Sequence, residues 1–199
     1  MNDPVKQEDM ACGGDPSFEE CKLASNVELE ITLRYLYKLK EESNDEAKKE
    51  AVVNYDAIVK EIANFEKQCK YKVREAMLYT MSFRISSRLS DYIFDEPLTD
   101  EYCLKLKEIF NMEEKIFQKV FLEVLEKDDV RERKKIIDNV NLIKSYLREK
   151  EKSMGITLSE QKLQNAALRI GGFICDLISL TIVPSKNFPI EPDDDNPPS

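Results

Sequence analysis

Carboxylates are the side chains of this sequence best placed to do chemistry, and one group of them is closely spaced. Asp128, Asp129 and Glu132 lie within a single short stretch. A second polar set follows further along the chain: Asn141, Ser145 and Glu149. Oxygen ligands of this kind bind Mg²⁺, which in turn holds phosphate substrates. On one helix, however, the two sets occupy consecutive turns and cannot face each other across a cavity. The Asp pair is better explained as a helix N-cap.

The sequence contains no histidine. This absence excludes Ser-His-Asp and Cys-His nucleophiles, histidine-bound zinc and iron, and the commonest general acid–base group at neutral pH. We therefore expect a protein that is not an enzyme, and we assign no catalytic residue, no metal ligand and no cofactor. A carboxylate- and Mg-dependent enzyme acting on phosphates is kept as an alternative function.

The charge of the chain disfavours nucleic acid as a partner. The formal net charge is −9, whereas nucleic-acid binding begins with clustered Lys and Arg. One basic patch, residues 131–135, contains Arg131, Arg133, Lys134 and Lys135 around Glu132. Nucleic-acid binding through this patch is a further alternative, and a solvated helix face is the simpler interpretation.

The five cysteines are odd in number and irregularly spaced, with no Cys-x-x-Cys pair. A zinc site or a disulfide scaffold is therefore not expected. Reduced thiols indicate the cytoplasm or the nucleus. The first fourteen residues lack an apolar stretch, so no secretory signal is predicted.

Apolar residues recur every three or four positions through most of the chain, which predicts an all-α bundle of about six helices. Residues 25–183 are expected to form a single helical domain. A flexible leader (1–24) and an acidic, proline-rich tail (184–199) are expected on either side. Ser25 and Glu28 fit a capping box at the start of the first helix.

Three further residues are predicted to mark helix ends. Thr99 is expected to cap a helix, and Asp129 is expected to begin a single helix that Gly155 ends.

The strongest periodic pattern is a heptad seam over residues 51–69. Its spacings are four, three, four, three and four, and its members are Ala51, Tyr55, Ile58, Ile62, Phe65 and Cys69. Such a seam is typical of a coiled coil or a core-facing stripe. No Gly or Pro occurs between residues 45 and 96. This region is predicted to form one long central helix, or two helices that meet near residues 69–72.

The last predicted helix carries the most apolar stretch, residues 166–183. Arg169 and Asp176 interrupt it, so we expect a core helix rather than a membrane span. Gly171-Gly172 lies within it and lacks the Gly-Lys-Ser/Thr of a phosphate loop. The pair predicts a close approach by a neighbouring helix or a kink.

These patterns favour a non-enzymatic adaptor, regulatory subunit or scaffold that binds protein through its helices. Four tyrosines are amphipathic groups suited to interfaces: Tyr35, Tyr37, Tyr79 and Tyr92. The candidate partner-binding residues are Tyr37, Tyr55, Phe65, Phe83 and Phe188. The partner is a different protein or, as an alternative, a second copy joined through the 51–69 seam in a structural homo-oligomer.

Overall fold

The computed structural model describes residues 18–68 and 75–179, and all regular structure within these ranges is helical. The described helices are α1 (Phe18–Glu41), α2 (Asp45–Val53), α3 (Tyr55–Gln68), α4 (Glu75–Ser90), α5 (Asp100–Leu125), α6 (Val130–Ile137), α7 (Val140–Met154) and α8 (Glu160–Ser179). The predicted all-α bundle is confirmed. The count exceeds the expected six because two predicted helices are each divided by a short break.

The first helix begins earlier than predicted. α1 starts at Phe18, so residues 18–24 belong to a helix and not to a leader. The capping box was therefore wrong: the Ser25 hydroxyl donates to Glu114 Oε1 at 3.3 Å, and Glu28 is buried inside the fold. Ala24 already belongs to the buried face of α1. The packing of this face extends the helix to the N-terminal side of the predicted cap.

The region predicted as one helix or two contains three described helices. Asn54 ends α2, and its side-chain oxygen accepts a hydrogen bond from Ala57 N at 3.0 Å in the first turn of α3. Neither prediction foresaw this break. Residues 69–74, where the alternative break was placed, lie outside the described residues, as do the tail 184–199 and residues 1–17.

Three other predicted helix ends are confirmed. Thr99 accepts a hydrogen bond from Tyr102 N at 3.1 Å as the N-cap of α5. Asp129 Oδ1 accepts from Arg131 N at 2.6 Å at the start of α6. Gly155 ends α7 with a φ of 66°, the left-handed conformation that favours glycine. The predicted single helix after Asp129 is divided at residues 138–139.

α5 is the centre of the bundle, and α1, α6, α7 and α8 pack around it. α4 contacts α1 on one side and α8 on another, while α2 and α3 cover its remaining face. α8 packs its apolar face inward, as predicted for a core helix. Within residues 18–68 and 75–179, no helix has the length and apolarity needed to cross a bilayer.

Gly171 confirms the predicted close approach of two elements. A Cβ atom added to Gly171 would lie 3.0 Å from the backbone oxygen of Ile137, at the end of α6. Gly172 differs, because a Cβ there would meet nothing within 4 Å. Only one glycine of the pair is therefore required by packing.

Candidate functional site

A groove of about 510 Å³ runs between α4 and α8, and we call it the α4–α8 groove. α4 contributes Tyr79, Thr80, Phe83, Arg84 and Ser87, and α8 contributes Asn165, Leu168, Arg169, Gly172 and Asp176. α4 and α8 run antiparallel, because Arg84 pairs with Asp176 near one end and Asp91 pairs with Arg169 further along.

The rim of the groove is apolar and exposed. Tyr79 is 66% exposed, Phe83 58% and Leu168 54%. The α4 residues that face the core are Met77, Met81, Ile85 and Leu89. Tyr79 and Phe83 lie between those positions, one turn apart, and so point away from the core. The Tyr55 ring extends this surface, since its centroid is 6.2 Å from that of Phe83. Exposed apolar surface gathered around a groove is typical of a binding site.

The floor of the groove is charged and buried. Arg84 Nε donates to Glu28 Oε2 at 2.9 Å, and its Nη1 donates to Asp176 Oδ2 at 2.5 Å. The Arg84 guanidinium also lies 4.1 Å from the centroid of the Phe173 ring. Its Nη2 is buried and has no hydrogen-bond partner among the residues that the structure describes. Arg84 therefore joins α1, α4 and α8 and keeps one unsatisfied donor.

A second set of ion pairs continues from this floor towards α5. Arg169 Nη2 donates to Glu113 Oε1 at 2.8 Å, and its Nη1 donates to Asp91 Oδ2 at 2.5 Å. Arg88 Nε donates to Glu113 Oε2 at 3.0 Å. Arg88 Nη1 lies 3.4 Å from Glu28 Oε1, which links the two sets. We call these groups the buried ion cluster: Glu28, Arg84, Arg88, Asp91, Glu113, Arg169 and Asp176.

The buried ion cluster positions the rim of the groove. Each of its four carboxylates contacts at least one guanidinium group. Buried charges of this kind are tolerated only when they are paired and hydrogen-bonded. They hold α4 and α8 at a defined separation and register, and so they shape the groove between the two helices.

The cluster shifts the ionisation of Glu113. Burial alone would raise the pKa of this carboxyl, but the charges and hydrogen bonds of Arg169 and Arg88 outweigh burial and lower the pKa from its usual 4.5. Burial likewise disfavours the charged form of Arg169, yet Glu113 and Asp91 raise the pKa of that guanidinium. Both groups are therefore ionised in the folded protein at neutral pH.

The lowered pKa of Glu113 makes stability depend on pH in acid. Above pH 4.5, Glu113 is ionised in the folded and the unfolded chain, and its full contribution is present. As the pH falls below that value, the unfolded chain takes up the proton first, and stability is lost until the folded carboxyl is also protonated. We expect urea midpoints between pH 7 and pH 3 to fall more steeply below pH 4.5 in the parent than in Glu113→Gln. Parallel curves for the two proteins would contradict this assignment.

Two of the predicted partner-binding residues come together at this site. Phe83 forms the rim, and Tyr55 lies against it. Tyr79 was singled out only as one of four interfacial tyrosines, and it also lines the groove. Leu168 was not among the predicted residues, because its place beside α4 depends on how two distant helices pack.

The other predicted residues lie elsewhere. Tyr37 is 41% exposed on α1 and is not part of the groove. Phe65 is buried beneath the guanidinium of Arg34, 4.8 Å from the ring centroid, which contradicts its assignment as a surface anchor. Its place in the seam explains this burial. Phe188 lies outside the described residues.

Most of the described seam residues face the interior of the chain. Ile58, Ile62 and Phe65 are buried where α3 packs against its neighbours, whereas Tyr55 is 40% exposed. The homo-oligomer through the 51–69 seam stays a prediction, with Tyr55 as an exposed member of the seam. The heptad pattern arises from packing within one chain.

The acidic and basic sets on α6 serve local structure. Asp129 caps this helix, and Glu132 forms an ion pair with Lys135 at 2.6 Å. Arg133 Nε donates to the Lys127 carbonyl at 2.6 Å. Within the described ranges, no group of three or more His, Cys, Asp and Glu residues is arranged to hold a metal ion.

A solved protein structure has a similar fold. The crystal structure of Pfg27 from Plasmodium falciparum superposes with a TM-score of 0.76 at 22% identity, covering 83% of this chain and 90% of that one. The similarity confirms the helical architecture. No curated protein sequence gives a significant match. The sequence profile of the Pfg27 family matches residues 3–178, and the chain therefore belongs to the Pfg27 family.

Proposed function

We propose that this protein is a non-enzymatic adaptor, regulatory subunit or scaffold that binds a segment of another protein in the α4–α8 groove. One observation carries the proposal: Tyr79, Phe83 and Leu168 are each more than half exposed around a single groove. Scattered exposed apolar residues are ordinary, whereas a contiguous group around a concave surface is typical of a binding site.

Burial of this rim would provide substantial binding energy. Fully burying one large apolar side chain contributes about 1.5–3 kcal/mol. Aromatic residues in a well-packed pocket also supply most of the energy in many protein interfaces. The buried ion cluster holds α4 and α8 in place before a partner arrives, which reduces the entropy lost on binding.

The non-enzymatic part of the proposal is supported by the chemistry of the residues present. The whole chain contains no histidine. The carboxylates beneath the groove are engaged by guanidinium groups, and Glu113 is fully buried. A general acid or base must reach its substrate by a direct or water-mediated hydrogen bond. These carboxylates are better suited to stabilising the fold.

A substitution at the rim should remove the partner without unfolding the protein. Phe83→Ser deletes an exposed ring from the groove, and Phe94→Ser deletes a 46% exposed ring that does not line it. We expect Phe83→Ser to reduce the co-purifying partner at least tenfold, which corresponds to about 1.4 kcal/mol. Phe94→Ser should leave the yield within about twofold of the parent, because truncating peripheral residues changes affinity little.

The measurement is affinity purification of the tagged full-length chain from its native cells, with quantitative mass spectrometry of the bound proteins. Circular dichroism of each variant confirms that the helices are intact. Equal partner profiles for the parent and Phe83→Ser would reject the groove as the binding surface.

A further inference from the structure

The last helix ends beside the groove that it helps to form. Arg84 lies level with Asp176 across the antiparallel pair. Tyr79 precedes Arg84 by five residues, so it lies close to the level at which α8 ends, at Ser179. The described part of the chain thus ends at Ser179, next to the Tyr79 end of the groove, and twenty residues, 180–199, follow it in the sequence.

We propose that residues 188–192 of this same chain, Phe-Pro-Ile-Glu-Pro, occupy the α4–α8 groove and must be displaced before a partner binds. The inference rests on the proposed function, because it assigns a competing occupant to the same site. The segment reaches the groove by reversing direction after α8, and Pro184-Ser185-Lys186-Asn187 supplies residues that favour such a turn.

The lengths of segment and groove agree. The α8 residues that line the groove extend from Asn165 to Asp176, eleven residues apart. At about 1.5 Å per residue, this part of the helix is about 16 Å long. Five residues in the extended conformation favoured by proline span about 16 Å at about 3.1 Å per residue. Residues 188–192 are thus long enough to cover the groove once.

The chemistry of the two surfaces also agrees. Extended proline-rich segments dock in grooves lined by aromatic side chains, and Tyr79 and Phe83 provide such a lining. Phe188 and Ile190 supply further apolar groups. Arg84 Nη2 is a buried donor without a partner among the described residues. A backbone carbonyl of the docked segment satisfies it, and the two prolines add no amide donors that would need acceptors.

Charge determines which part of the tail docks. The buried ion cluster combines three arginines with four carboxylates, so it does not attract a strongly acidic segment. Asp193, Asp194 and Asp195 therefore remain outside the groove, and docking depends on apolar contact and little on salt. Tethering compensates for the small contact area, since a short linker gives an effective concentration in the millimolar range.

Proteolysis of the full-length chain tests the proposal. Lys186 is the only Lys or Arg among residues 180–199, so a lysine-specific protease releases 187–199 in a single cut. We expect at least a fivefold faster cut in Phe188→Ser and in Phe83→Ser, because cleavage follows the population of the undocked tail. The double variant should be no faster than either single variant, and Phe94→Ser should match the parent.

Peptides of residues 180–199 with and without Phe188→Ser give the intrinsic cleavage rates used for normalisation. Leu168→Ser replaces Phe83→Ser if the latter fails to fold. Equal normalised rates for the parent and Phe188→Ser overturn the proposal. Acceleration by Phe188→Ser without acceleration by a groove variant also overturns it, because the tail then docks elsewhere.

A fluorescence measurement provides an independent test, since the chain contains no tryptophan. A Tyr79→Trp reporter should be quenched by acrylamide about twofold more efficiently after Phe188→Ser, because the groove then opens to solvent. A Tyr37→Trp reporter on α1 should not respond. An unchanged response at position 79 contradicts docking.

The two proposals can fail separately. If Phe83→Ser loses the partner while Phe188→Ser leaves cleavage and quenching unchanged, the groove binds a partner and the tail does not occupy it. If Phe188→Ser speeds cleavage while Phe83→Ser retains the partner, the partner binds elsewhere. If both hold, Phe188→Ser should also raise the yield of partner, because the competing segment is gone.

Discussion

Glu113→Gln should lower the free energy of unfolding by about 3–5 kcal/mol, which is the usual cost of removing one partner of a buried ion pair. Glu113 is completely buried and receives hydrogen bonds from Arg88 and Arg169. Gln has nearly the same shape but no charge, so the substitution leaves two buried guanidinium groups less well neutralised. The loss is large compared with the 5–15 kcal/mol typical of whole domains.

Urea unfolding followed by circular dichroism measures this loss, and Glu108→Gln is the matched control. Glu108 lies on the same helix but is exposed. We expect this control to change stability by less than about 0.5 kcal/mol, as most surface substitutions do. Similar losses for the two variants would show that helix α5, and not the ion cluster, determines the effect.

Gly171→Ala and Gly172→Ala should change stability in opposite directions. A Cβ at Gly171 would lie 3.0 Å from the Ile137 carbonyl oxygen, so the end of α6 must shift by a few tenths of an ångström to accept it. Overpacking of this kind costs about 1–3 kcal/mol. A Cβ at Gly172 meets nothing, and Ala stabilises a helix by about 1 kcal/mol relative to Gly.

Thermal and urea unfolding of the two variants measure this difference directly, and each variant is the control for the other. The helix propensity gained is the same at the two neighbouring positions. Any difference between them therefore reports the packing against Ile137. Equal stabilisation by both substitutions would contradict the close approach of α6 and α8.

Local pattern is sufficient to predict the helical class and several helix ends. Thr99, Asp129 and Gly155 act through hydrogen bonds or backbone angles within a few residues, and such effects are visible in the sequence. The breaks at Asn54 and at residues 138–139 were not predicted, because the apolar periodicity continues across them. Asn54 ends one helix and caps the next, and no Gly or Pro marks the position.

The candidate site was less predictable, because it depends on contacts between distant parts of the chain. Arg169 and Asp176 stood out as charges in an apolar helix, but their partners Asp91 and Arg84 lie 78 and 92 residues away. Phe83 and Tyr55 were predicted as aromatic surface residues. Phe65 is also aromatic and was predicted in the same way. Only tertiary packing distinguishes its buried ring from the exposed rings of the other two residues.

The buried ion cluster also has a consequence for how the chain avoids misfolding. Two helices joined only by apolar side chains can slide by one turn, because another apolar residue then takes each vacated place. A one-turn slide of α4 would move Arg84 and Arg88 about 5.4 Å along its axis. One arginine would then take the place of the other, and the second position would lose its guanidinium group. Such a state leaves Glu28 with one arginine in place of two and removes the α4 arginine from either Asp176 or Glu113, which is costly for buried charge. The cluster thus selects one alignment of α1, α4, α5 and α8 from several that apolar packing alone would accept.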